Sequence, residues 1–257
     1  MQIRRIALVA SLLLSTSSFC VAAQGLPAAT QVQVTGAVRT AGTFDIPSGG
    51  RLADALIAAQ PTRDAYLTGT LFLRESERTA QRRLRVGLAH DLQELQKSTR
   101  PAITQAAAKL AQWLEEHLAT GRVQQSIDPR LMQVQPQTNP VLAHGDTVVV
   151  PMRPATIRVM GAVLAECRLK HEPLRDALDY LRDCATSEAA DRDDLYVIQP
   201  DGHVQKLGIA LWNRSDPQAL APGGTLYVPL DHSSTHLVDE DFNSEFAAFI
   251  ATQPITP

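Results

Sequence analysis

Arg74, Arg78, Arg82, Arg83 and Arg85 crowd into one short stretch that only Glu75 and Glu77 interrupt with acid. Planar guanidinium forks match carboxylates bidentately, so the chemistry this run offers is capture of an acidic polysaccharide. The same run also reads as a solvated strand-and-loop face. A second group lies near the C-terminus, where Phe242, Phe246, Phe249 and Ile250 recur at i, i+4, i+7 and i+8 behind Asp239-Glu240-Asp241. Acids ahead of an apolar stripe favour an amphipathic helix. Its apolar face fits a protein partner or the chain's own domains. A membrane surface is disfavoured, because its polar face carries no Lys or Arg.

Other candidates carry less. His232 and His236 would share a helical face as metal ligands, yet Ser233-Ser234-Thr235 between them is a poor helix, and linker histidines are the plainer reading. Gly49-Gly50 lacks the Lys-Ser/Thr of a phosphate loop and reads as a turn. Trp113 and Trp212 could stack on sugar rings, although Trp113 sits beside Leu114 in a helical stripe that suits packing. There is no Gly-x-Ser-x-Gly elbow and no His-Glu-x-x-His, so no catalytic residue, metal or cofactor is expected.

Arg4 and Arg5, an apolar run from Ile6 to Leu14 and the small residues before Ala23 predict a cleaved secretory leader over residues 1–23. The run is short of the roughly 20 residues that cross a bilayer, and no later segment is longer, so no transmembrane segment is expected in the mature chain. Cys20 would leave with the leader. Cys167 and Cys184 then remain in a compartment where disulfides persist, and we expect them to pair, the alternative being two buried thiols. The formal charge of −3 falls further when Arg4 and Arg5 are lost. An acidic chain has no electrostatic footprint for nucleic acid or anionic lipid.

The elements that position these residues come in duplicate. Val34-Thr35-Gly36-Ala37-Val38 is answered by Val159-Met160-Gly161-Ala162-Val163, and Leu52-Ala53-Asp54-Ala55-Leu56 by Leu174-Arg175-Asp176-Ala177-Leu178. Val86-Gly87-Leu88-Ala89 pairs with Leu207-Gly208-Ile209-Ala210, and the segment Leu142 to Pro151 with Leu220 to Pro229. Alternating β-branched residues before each first Gly predict strands. The Leu/Ala spacing that follows predicts one helix per copy, with Ser48 as a candidate N-cap and Pro173 in a first turn. Leu71-Phe72-Leu73, Leu195 to Ile198 and the segments ending at Pro151 and Pro229 read as further strands. The copies part between residues 90 and 141. There Leu88, Leu92 and Leu95, then Ile103, Ala107, Leu110, Leu114 and Leu118, predict a helical hairpin, with Ser98 or Thr99 ahead of Pro101 as its cap and Gly121 as its stop. The fold class is α+β: residues 24–154 and 155–231 form two β-grasp units, and residues 232–257 an amphipathic helix and tail.

Val34-Thr35-Gly36, Gly42-Thr43-Phe44, Gly50-Arg51-Leu52-Ala53-Asp54-Ala55-Leu56 and Gly145-Asp146-Thr147-Val148-Val149-Val150-Pro151 resemble the soluble-ligand-binding β-grasp (SLBB) domain. Two such units, an insertion, a leader and an amphipathic tail together resemble the capsule biosynthesis GfcC family. That resemblance implies a periplasmic, non-catalytic protein made alongside capsule or exopolysaccharide machinery, with partners among the polysaccharide itself or outer-membrane polysaccharide export proteins. No polysaccharide-export segment precedes the first unit, so the chain is not expected to be the export pore. The second copy departs from the motif, with Ala165-Glu166-Cys167 where the first has Ala41-Gly42-Thr43, which makes the first copy the better candidate for a ligand surface. The competing reading is a polysaccharide-modifying enzyme with its site between the two units.

Overall fold

A computed structural model describes residues 29–235 and 238–255. The expected leader, Cys20 and His236 lie outside these residues. In the first unit β1 (Thr30–Gly36) and β2 (Gly42–Ile46) form a hairpin, followed by α1 (Leu52–Ala59) and β3 (Leu71–Leu73). Two long helices come next, α2 (Glu75–Leu95) and α3 (Pro101–Glu116), then β4 (Arg122–Val123), α4 (Pro129–Val134) and β5 (Thr147–Val150). The second unit runs β6 (Thr156–Gly161), β7 (Cys167–Lys170), α5 (Ala177–Arg182), β8 (Asp194–Ile198), β9 (Val204–Gly208) and β10 (Thr225–Val228). A short α6 (His232–Thr235) and then α7 (Phe242–Ala251) close the chain.

The two five-stranded sheets share one order, β2-β1-β5-β3-β4 and β7-β6-β10-β8-β9. In each, the first strand pairs in parallel with the last and antiparallel with the second. The opening repeat follows from that pairing. Gly36 ends β1 opposite Val150 at φ +96°, where a Cβ would lie 2.0 Å from the Val150 carbonyl oxygen. Gly161 repeats this against Val228 at φ +104°. Only glycine fits a positive φ with a backbone that close.

Leu52, Ala55 and Leu56 of α1 pack on Val32, Val34, Phe72 and Val148, which is the core of the first unit. The second core is larger and not confined to its own unit. Leu88, Leu92 and Leu95 of α2 and Ile103, Ala107, Leu110 and Leu114 of α3 join the second sheet and Phe242, Phe246 and Phe249 of α7 in one cluster. The first unit thus lends the second a wall of its core.

Three local expectations are corrected. The hairpin expected from residue 90 begins at Glu75, so Val86 to Ala89 is helix while Leu207-Gly208 is strand, and the two are not counterparts. Glu75 and Glu77 at the positive end of the helix, and the apolar spacing through Leu84, Leu88, Leu92 and Leu95, carry α2 back past Gly87. Leu174 does not match Leu52, since it is 93% exposed at φ +62° and α5 starts only at Ala177. Leu118 lies beyond the end of α3 and is exposed. Capping also differs: α1 starts from Arg51, whose N–H donates to Asp54 Oδ2 at 2.7 Å, rather than from Ser48.

Candidate functional site

The five arginines stand on and just before α2, a helix rather than a strand-and-loop face, and they separate by role. Arg74 donates through Nε and Nη2 to the two carboxylate oxygens of buried Asp146, at 3.0 and 2.6 Å, and to the Val141 carbonyl. The hydrogen bond to Asp146 raises the Arg74 pKa further above its ordinary value. Arg85 caps α3, donating to the carbonyls of Leu114 and His117. Arg78 pairs with Glu75 at 2.6 Å, and Arg82 lies 3.7 Å from the same carboxylate. Arg82 and Arg83 are exposed. Arg74 and Arg85 are therefore engaged within the fold.

The tail residues are internal. Phe242, Phe246 and Phe249 are fully buried and Ile250 nearly so. Phe246 lies 5.4 Å from the Tyr227 ring and 5.6 Å from that of Trp113, so α7 docks between α3 and the second sheet. Asn243 fixes the register: its Oδ1 accepts from Tyr227 OH and Leu230 N, and its Nδ2 donates to the Leu230 carbonyl. The face read as partner-binding is instead turned to the chain's own core, because α2 and α3 complete a slot the four side chains fill.

Cys167 and Cys184 are joined as a disulfide with Cα atoms 6.0 Å apart, linking β7 to the end of α5. His232 faces Asp194 at 3.4 Å. Among the described residues no group of three His, Cys, Asp or Glu is placed to hold a metal ion. Gly49-Gly50 is a turn closed by the Gly50 N–H on the Pro47 carbonyl.

The residue that spacing could not reveal is Arg122. It belongs to β4, a two-residue edge strand paired with β3, and is only 4% exposed. Buried Gln81 of α2 holds this strand end, donating to the Arg122 carbonyl and accepting from Gly121 N. The Arg122 side chain then crosses to the second unit. Its Nη2 donates to the Pro200 carbonyl at 2.5 Å, and its Nη1 to the Ala251 carbonyl at 2.9 Å and more weakly to that of Gln253. Gly202, at φ +88°, leaves room, since a Cβ there would stand 3.4 Å from the guanidinium carbon. Burial lowers the Arg122 pKa to about 10, only partly opposed by Asp201. The group is still a cation at neutral pH, and its hydrogen-bonding acceptors are uncharged.

Flanking bonds complete the seam. Thr120 Oγ1 donates to the Thr252 carbonyl at 2.8 Å, and Gln124 Nε2 to that of Gly202 at 2.9 Å. Beneath Arg122 a cavity opens on the α7 side of the second sheet, lined among others by Arg158, Arg168, Gln199, Thr225 and Gln253. Strand pairing sets Arg168 opposite Arg158, and Arg158 opposite Thr225, in one cross-strand row. Arg158 donates to Glu166 at 2.6 Å. The cavity thus gathers guanidinium, amide and hydroxyl groups, which bind anions and polar ligands but do not shuttle protons near neutral pH.

Residues 28–149 match the family described as Capsule biosynthesis GfcC, N-terminal, and residues 167–254 match Capsule biosynthesis GfcC C-terminal. The chain is also 32% identical over 124 residues to the uncharacterized protein YjbG of Escherichia coli (strain K12). That alignment takes in 48% of this chain and 50% of YjbG, so it spans about half of either protein.

Proposed function

Because the chain belongs to the capsule biosynthesis GfcC family, we propose that it works as a periplasmic, non-catalytic accessory protein of capsule or exopolysaccharide biosynthesis or export, binding the polysaccharide or an exporter component. The observation that carries this reading is the seam at Arg122, which ties two similar units together beside a polar cavity. A fixed pair of modules suits presentation of a long surface to a polymer or to a ring of subunits. The lining favours holding a ligand over transforming it, since arginine stays protonated through the working pH range.

Other observations support the rest of the reading. The shared strand order, with a hairpin, a helix and a parallel central pair in each unit, fits tandem β-grasp domains at 24–154 and 155–231. A disulfide, and no helix among the described residues long and apolar enough to cross a membrane, suit an oxidising compartment outside the cytoplasm. The test is deletion of the gene with and without complementation. Loss or shortening of surface polysaccharide, restored by the wild-type gene, is the expected result; unchanged amount and length would sink the proposal.

A further inference from the structure

The turn after β9 holds its backbone still and turns its largest side chains outward. Leu211 is 92% exposed and Trp212 76%, and neither joins a core of either unit. Around them the chain is tightly pinned. Ala210 N donates to Asn213 Oδ1 at 3.1 Å, and Asn213 Nδ2 donates to the Asp193 carbonyl at 3.0 Å and to Asp194 Oδ1 at 3.3 Å. Gly208 N donates to Ser215 Oγ, Ser215 N returns a bond to the Gly208 carbonyl, and Arg214 Nη2 donates to the Ile209 carbonyl. Gly208 lets the turn close, because a Cβ there would stand 2.0 Å from the Asn213 carbonyl oxygen. Single exposed apolar residues are ordinary, but two adjacent ones on a turn this well anchored form a prearranged contact surface.

The neighbourhood narrows what that surface meets. A cavity of about 110 Å³ opens beside the turn, lined among others by Leu178, Ile209, Pro217, Arg214 and Asp216. Its polar groups are of both signs, with none of the basic cluster on which an anionic membrane surface would draw. Area argues against a second copy of the chain. An aromatic side chain carries about 150–250 Å², so Trp212 and Leu211 together offer on the order of a few hundred Å². A stable protein interface takes roughly 800 Å² from each partner. One sugar ring is the right size: the C–H face of a pyranose lies on the electron-rich face of an indole, while its hydroxyls need donors and acceptors at the edge.

We propose that the turn at Leu211 and Trp212 is a glycan contact, in which a pyranose unit stacks on the Trp212 ring and its hydroxyls meet Asp216 and Arg214; this rests on the polysaccharide-binding reading above. Arginine supplies donors only and a carboxylate acceptors only, so the two together suit hydroxyls, which are both. The fixed turn lowers the ordering cost of binding, and the second unit thereby contributes its own grip on the polymer.

The chain has two tryptophans, so the indole N–H resonances of the full chain report Trp113 and Trp212 separately once Trp212→Phe assigns them. The titrants are oligosaccharides released from the surface polysaccharide of the producing organism and, in parallel, phosphatidylethanolamine–phosphatidylglycerol vesicles. A saturable shift of the Trp212 signal with oligosaccharide, with Trp113 unmoved and no response to vesicles, is expected. Trp212→Ala should weaken binding about tenfold with circular dichroism unchanged, and Trp212→Tyr, which keeps a ring, should stay within about threefold of wild type. Oligosaccharide binding that leaves the Trp212 signal still, or that survives Trp212→Ala undiminished, overturns the inference while the polysaccharide reading stands. No oligosaccharide binding at all overturns the inference as well, and the gene-deletion phenotype then judges the wider reading by itself. A Trp212 response to vesicles alone assigns the turn to a membrane surface and overturns the glycan contact.

Discussion

The Arg122 guanidinium and the Ala251 carbonyl, 2.9 Å apart, tie the edge strand of the first sheet to the last turn of the final helix in the second unit. Arg122→Ala would strand the carbonyls of Pro200 and Ala251 and open a void. A loss on the order of 3 kcal/mol in urea unfolding is expected. Arg122→Lys, which keeps the charge but not the fork, should lose less. Limited proteolysis between the units should quicken in step, and an unchanged profile for the alanine variant would refute the seam.

The arginine run divides by function, and stability should divide with it. Arg74→Ala leaves Asp146, only 2% exposed, without its ion partner, and should cost about 3 kcal/mol or more. Arg82→Ala and Arg83→Ala, at exposed positions, should stay within about 0.5 kcal/mol of wild type. Equal losses across the three would contradict the geometry at Asp146.

Reduction of Cys167–Cys184 reopens a loop with sequence separation 17. Removing such a crosslink should cost about 3 kcal/mol by the loop-entropy argument. Thermal unfolding of Cys167→Ser/Cys184→Ser beside the oxidised protein measures it, and thiol counting after denaturation should find no free thiol in the mature oxidised chain.

Asp91 of α2 and Glu245 of α7 are both raised above their ordinary 3.8 and 4.5, first by burial, then by repulsion from Asp239. A carboxyl raised in the folded state binds more protons folded than unfolded, so its effect on stability worsens as pH climbs from those ordinary values through the raised ones. Glu245→Gln should therefore be stabilised relative to wild type near neutrality, with the difference fading below pH ~4 as both states protonate. Urea midpoints at a series of pH values read this directly; a gap that widens on acidification is the opposite sign.

Trp113 is buried against His117, Phe246 and Phe249, while Trp212 is 76% exposed on the turn after β9. Acrylamide should quench the Trp113→Phe variant strongly and the Trp212→Phe variant weakly. Similar quenching of both would place α7 elsewhere.

Local pattern made much of this architecture readable. The Leu/Ala spacing of α1 and the closing strands before Pro151 and Pro229 are set by residues close in sequence, and Gly36 and Gly161 were legible because the Val-x-Gly-Ala-Val string is repeated. Leu174 misled because its neighbours match the first copy while its own backbone turns left-handed. The stripe of α7 was legible as apolar, but which surface covers it depends on α2 and α3, more than a hundred positions earlier. Arg122 gave no signal at all: one arginine between Gly121 and Val123 acquires its place only when Pro200 and Ala251 arrive in space.

The loan of α2 and α3 to the second core also governs the order of biogenesis. A chain that emerges from its N-terminus delivers these helices before β6 to β10 exist to receive them. Until β6 to β10 emerge, Leu88, Leu92, Ile103 and Leu110 have no sheet to cover, which is the kind of exposed surface that holding chaperones recognise. Neither unit is a detachable building block: cutting the chain near residue 154 would leave one fragment with an uncovered helical wall and the other with an unfinished core.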